Sequence, residues 1–104
     1  MKNGFYAVSF STPLGAGNGI AFVQDGIIRG GDSSIYYLGN YNVDSNAVAA
    51  EVTTNRHAAG LASIFGKDNV HITLSGTFSD TDANLTGSAP EAPGIQVALK
   101  RIGD

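Results

Sequence analysis

Apolar and polar residues alternate along most of this chain, with the two-residue period of a β-strand. The clearest run is Val70–Phe78, where Val70, Ile72, Leu74, Gly76 and Phe78 interleave with His71, Thr73, Ser75 and Thr77. Tyr6, Val8 and Phe10 alternate in the same way with Ala7, Ser9 and Ser11. Val48, Ala50 and Val52 alternate with Ala49, Glu51 and Thr53, and Ile95, Val97 and Leu99 with Gln96, Ala98 and Lys100. β-Branched and aromatic residues dominate these runs and suit a pleated surface with one dry face. Gly19–Gln24 and Ser34–Tyr41 differ, because both of their faces are rather apolar. With Ile20, Phe22, Ile35 and Tyr37 pointing inward, Ala21, Val23, Tyr36 and Leu38 form an outward apolar band.

Turn chemistry punctuates the strands. Asp25-Gly26 reads as a two-residue hairpin turn of the primed type, in which glycine supplies a positive φ. Gly30-Gly31-Asp32, Val43-Asp44-Ser45-Asn46 and Ser79-Asp80-Thr81-Asp82 read as further breaks, and Ala89–Gly94 as a longer loop. Gly15-Ala16-Gly17-Asn18-Gly19 reads as an inter-strand loop. Ala58–Lys67 breaks the alternation and suits a short helical turn capping an open end. About eight short strands with short links make a meander. Closing it removes both exposed edges, so the expected fold is all-β, an up-and-down barrel of about eight strands, with a two-sheet sandwich as the alternative.

Composition narrows the picture. The chain has 104 residues, enough for one domain over 1–104 with its own core. Charged residues are 14% of the chain and the net charge is −3, with lysines and arginines scattered singly, which disfavours nucleic-acid binding. The absence of cysteine removes a disulfide framework, a thiolate nucleophile and a cysteine zinc site, and fits the cytoplasm. Met1–Phe10 lacks the apolar stretch of a signal peptide, and no run has the roughly 18 apolar residues of a membrane helix.

Candidate chemistry is sparse. The Gly15–Gly19 run precedes a strand, whereas phosphate loops precede a helix whose amides face the anion. His57 and His71 fall short of a metal ligand set and read as surface residues. Asp44, Glu51, Asp80, Asp82 and Glu91 lie mostly in turns, where Asp bonds the nearby backbone. No serine stands in a nucleophile elbow. No catalytic residue, cofactor site or metal site is therefore expected. Large side chains at Tyr6, Phe10, Phe22 and Phe78 are expected to fill the barrel despite the room left by Ala50, Val52 and Gly76. The outward band of Ala21, Val23, Tyr36 and Leu38 is the expected contact of a homodimer.

Several short motifs are shared with a known family. Asn3-Gly4-Phe5-Tyr6, Gly17-Asn18-Gly19-Ile20, Asp25-Gly26, Gly30-Gly31-Asp32 and Tyr37-Leu38-Gly39 resemble the GrlR family of negative regulators of type III secretion, as do Arg56-His57, Ser63-Ile64-Phe65-Gly66 and Gly76. The resemblance implies a lipocalin-like eight-stranded barrel that dimerises and represses gene expression by binding a transcriptional activator. In that family an acidic loop captures the activator. The aligned stretch here is Val43, Asp44, Ser45 and Asn46, a partner loop with one acid. The expectation is a non-catalytic bacterial regulatory or adaptor protein that binds itself and another protein. A small-molecule binder using the barrel mouth is the alternative.

Overall fold

A computed structural model describes residues 1–60, 64, 67–90 and 92–104. Eight antiparallel strands follow one another in chain order: β1 (Gly4–Thr12), β2 (Gly15–Gln24), β3 (Ile27–Gly31), β4 (Ile35–Asp44), β5 (Ala47–Arg56), β6 (His71–Phe78), β7 (Asp82–Ala89) and β8 (Ala92–Gly103). Each strand pairs with the next, and β1 pairs with β8, so the sheet closes into an up-and-down barrel. The meander and its closure are as the alternation predicts, and the two-sheet sandwich is not formed. Among the described residues no helix is long and apolar enough to cross a membrane. Half of the helical turn expected over Ala58–Lys67, residues 61–63 and 65–66, lies outside the described residues.

Local chemistry explains the tightest connection. Asp25 and Gly26 have φ of 51° and 86°, the two positive values a type I′ turn demands, and Gln24 pairs directly with Ile27 across it. Asn3 clamps this turn, donating from Nδ2 to Asp25 Oδ1 at 3.1 Å and accepting from the Asp25 amide at 3.0 Å. The Val43–Asn46 link is shorter than expected. Val43 and Asp44 end β4, and only Ser45 and Asn46 turn, with Ser45 at a φ of 55°.

Gly15–Gly19 is not a loop but the first half of β2, paired with Ser9–Thr12 and Val8 of β1. Its physical reason is the core. A Cβ on Gly17 would stand 2.8 Å from the Phe10 ring, so the missing side chain lets that ring lie across the strand. The same packing fixes the phase of β2. Tyr6, Ala21, Gly30 and Tyr37 are successive partners across β1 to β4, and all point inward. Two small residues between two tyrosines keep the row within the volume of the barrel. Ala21 and Val23 are consequently buried, at 1% and 0% exposure, and Ile20 and Phe22 point out. The sequence pattern had this strand inverted.

The interior is apolar and largely filled. Tyr6, Phe10, Tyr37, Tyr41, Ile72, Leu74, Leu85 and Ile95 are among its buried side chains, and Phe78 packs against them from the rim. Phe22, expected inside, instead stacks outside on Phe5 with ring centroids 4.9 Å apart. The remaining void is about 70 Å³, lined by apolar side chains together with Thr54 and the rings of Tyr37 and Tyr41.

Candidate functional surface

The inverted phase of β2 moves the apolar band without removing it. Phe5, Phe22, Arg29, Leu38 and Thr53 are successive cross-strand partners on the outside of β1 to β5. Ala7, Ile20, Gly31, Tyr36 and Asn55 form the adjacent outward row on one side. Gln24, Ile27, Asn40 and Glu51 form the one on the other. Leu38 is 50% exposed and Ile20 45%, with Phe5, Ile27 and Tyr36 also open to solvent. Of the residues expected in the band, Tyr36 and Leu38 are there and Ala21 and Val23 are not. Phe5, Ile20, Phe22 and Ile27 take their place.

Strands about 4.8 Å apart and same-face residues about 6.8 Å apart give this four-strand, three-row patch a footprint of roughly 400 Å². Apolar side chains hold most of its positions, and contiguous exposed apolar patches are often functional. Gln24, Asn40, Thr53 and Asn55 border it, with Glu51 beside Asn40 and Lys100 beside Ala7, so the apolar side chains have a polar rim. A depression of about 230 Å³ opens within it, lined by Phe22, Gln24, Asp25, Ile27 and Arg29.

The opposite outer wall has a different character. There a concavity of about 460 Å³ crosses β2, β1, β8, β7 and β6, with Ser9, Asn18, Thr77, Asn84, Thr86 and Gln96 among its lining. Every outward side chain along it is small or neutral and polar. The interior void is too small for a drug-sized ligand, which needs roughly 300 Å³ or more.

The densest polar cluster closes the barrel end that carries the β3–β4 turn. Asp32 Oδ1 accepts from the Ser34 and Ile35 amides at 2.9 and 2.8 Å, and Oδ2 accepts from the Tyr37 hydroxyl at 3.0 Å. Burial pushes the Asp32 carboxyl up. The two amides, the Tyr37 hydroxyl and nearby His57 together outweigh burial and hold it below its ordinary range. Burial, reinforced by the Asp32 charge, pushes the Tyr37 hydroxyl well above the usual tyrosine range. His57 Nε2 meets the Asp32 carbonyl at 2.9 Å, and Arg56 grips Asp68 through both carboxylate oxygens. Thr54, the one polar side chain in the described core, donates to the Asp68 carbonyl at 2.7 Å. Each group is spent on a neighbour, so this cluster ties His57 and Asp68 to the barrel end.

The other singled-out residues stay apart. His71 lies outward on β6, 3.9 Å from Glu51, and far from His57 at the barrel end. Asp82 accepts from the Thr81 hydroxyl within the β6–β7 turn, and Glu91 lies outside the described residues. Among the described residues, no three His, Asp or Glu side chains stand close enough to share a metal ion. Val43, Asp44, Ser45 and Asn46 are all exposed at the β4–β5 hairpin, at the same barrel end as Asp25-Gly26. No family model and no curated protein matches this chain.

Proposed function

We propose that this protein is a non-catalytic, cytoplasmic regulatory or adaptor protein of GrlR-like kind, which works by binding another protein through the outer face of β1 to β4. The observation that carries this reading is the apolar patch around Leu38, placed on regular strands and bordered by polar side chains. An apolar centre inside a polar rim is the anatomy of a protein–protein contact. Strands hold such a surface more rigidly than loops, which lowers the ordering entropy lost on binding. The exposed β4–β5 hairpin, with Asp44, extends the face toward one barrel end.

Site-specific photocrosslinking in the native host tests the reading. A photoreactive residue at Leu38 should give discrete protein adducts, and the same residue at Thr77 on the opposite wall should not. Equal labelling at both positions, or none at Leu38, would remove the face from consideration.

A further inference from the structure

The charge at the middle of the apolar face narrows what it takes. Arg29 lies directly between Phe22 and Leu38 in the cross-strand row, with Ile27 two residues away on its own strand. Gly31, two residues on in the other direction, has no side chain, so Ile20 and Tyr36 flank that side. Arg29 is exposed and makes no ion pair among the described residues, whereas Arg56 is paired with Asp68 and Arg101 with Asp104. The depression beside it is walled by Phe22 and Ile27. The one acid at its edge, Asp25, is engaged by Asn3 through both its carboxylate and its amide.

We infer that the occupant of this face is a different protein, presenting a carboxylate surrounded by aliphatic or aromatic side chains, and that Arg29 selects it. The inference rests on the binding-face reading above. Covering the patch strips water from Arg29, and a desolvated guanidinium is tolerated only when a carboxylate meets it, best through two parallel hydrogen bonds. Arginine framed by aromatic and aliphatic side chains is also a residue type that dominates binding energy. A second copy of this chain fits poorly. A two-fold axis through the patch centre sets the two Arg29 side chains against each other, and like charges at the centre of a contact oppose it.

Selection of randomised displayed peptides on the immobilised full chain tests the inference. The enriched pool should centre on Asp or Glu flanked by Leu, Ile, Phe or Trp. The best peptide should lose roughly tenfold or more in affinity on Arg29→Glu and on Leu38→Glu, and almost nothing on Thr77→Glu. Exchanging its acid for Arg should restore binding to Arg29→Glu. All three substituted positions are exposed, so circular dichroism should report an unchanged barrel. Wild-type and Leu38→Glu protein should sediment alike at tens of micromolar. Peptides that lose binding on Leu38→Glu but show no preference for an acid would overturn the role of Arg29 and leave the face standing. A pool indifferent to Leu38→Glu, or one without binders, would overturn both. A dimer dispersed by Leu38→Glu would show that the occupant is a second copy, against the inference.

Discussion

Replacing Leu74 by alanine tests the assignment of inside and outside most quantitatively. Leu74 sits mid-strand on β6, is 6% exposed and borders the interior void. Its cross-strand neighbours in the inward row are Ala50 and Gly87, too short to move into the space it would vacate. The lost transfer energy is about 2 kcal/mol, and some 70 Å³ of uncollapsed space at about 24 cal/mol per Å³ adds about 1.7 kcal/mol. The expected loss is therefore near 3.5 to 4 kcal/mol, a large share of the stability of a domain this size. Leu38→Ala, on the outside of β4, should lose less than about 1 kcal/mol. Urea unfolding followed by far-ultraviolet dichroism reads both, provided the slope with denaturant stays that of wild type. A Leu74→Ala loss well under about 1 kcal/mol, or equal losses at the two leucines, would refute the facing of these strands.

Other expectations follow from the same geometry. Val23→Glu should abolish cooperative folding whereas Ile20→Glu should not, as thermal melts would show; the reverse order would restore the inverted phase of β2. Tyr37→Phe leaves Asp32 Oδ2 without its donor and should lower stability by about 1 to 2 kcal/mol at neutral pH. The folded-state pKa of Asp32 lies below its unfolded value, so its contribution is complete above about pH 4 and disappears as pH falls through the folded value. Stability measured across acid pH should thus fall less steeply in Tyr37→Phe than in wild type; parallel curves would contradict the assignment. The hydroxyls of Tyr6 and Tyr37 are both pushed up, chiefly by burial, so ultraviolet titration should find two tyrosines that resist ionisation until alkaline unfolding. Elemental analysis of purified protein should find no stoichiometric transition metal, and one zinc per chain held by His57 or His71 would overturn that expectation.

The contrast between β6 and β2 explains how much was legible in the sequence. In Val70–Phe78 one face is apolar and the other polar, so period and phase are both set by solvent, and the structure agrees. In Gly19–Gln24 both faces are apolar. Solvent cannot choose between them there, and the larger side chains, Ile20 and Phe22, were the natural choice for the inside. Volume decided otherwise, because Tyr6 and Tyr37 already occupy the row and leave room only for Ala21 and Gly30. A signal was present. Gly15, Gly17 and Gly19 continue the phase of Ala21 and Val23 at a two-residue spacing, and such a glycine series marks where large side chains of a neighbouring strand cross. Read as a loop, that run concealed half of β2. The surface was legible to the same extent: both faces of β4 are apolar, but there Ile35, Tyr37 and Tyr41 do face the core, so Tyr36 and Leu38 were found. Arg29 was not, since its place among Phe22 and Leu38 depends on register across three strands.

The central claim is that the outer face of β1 to β4 is the surface this protein works with. Amide chemical shifts of the isotope-labelled chain, followed while the best selected acidic–apolar peptide is titrated in, test it most directly. The account predicts saturable shifts concentrated at Phe5, Ile20, Phe22, Ile27, Arg29, Tyr36 and Leu38, with Thr77, Asn84, Thr86 and Gln96 unmoved. Shifts confined to that opposite wall, or to residues around the interior void, would contradict it.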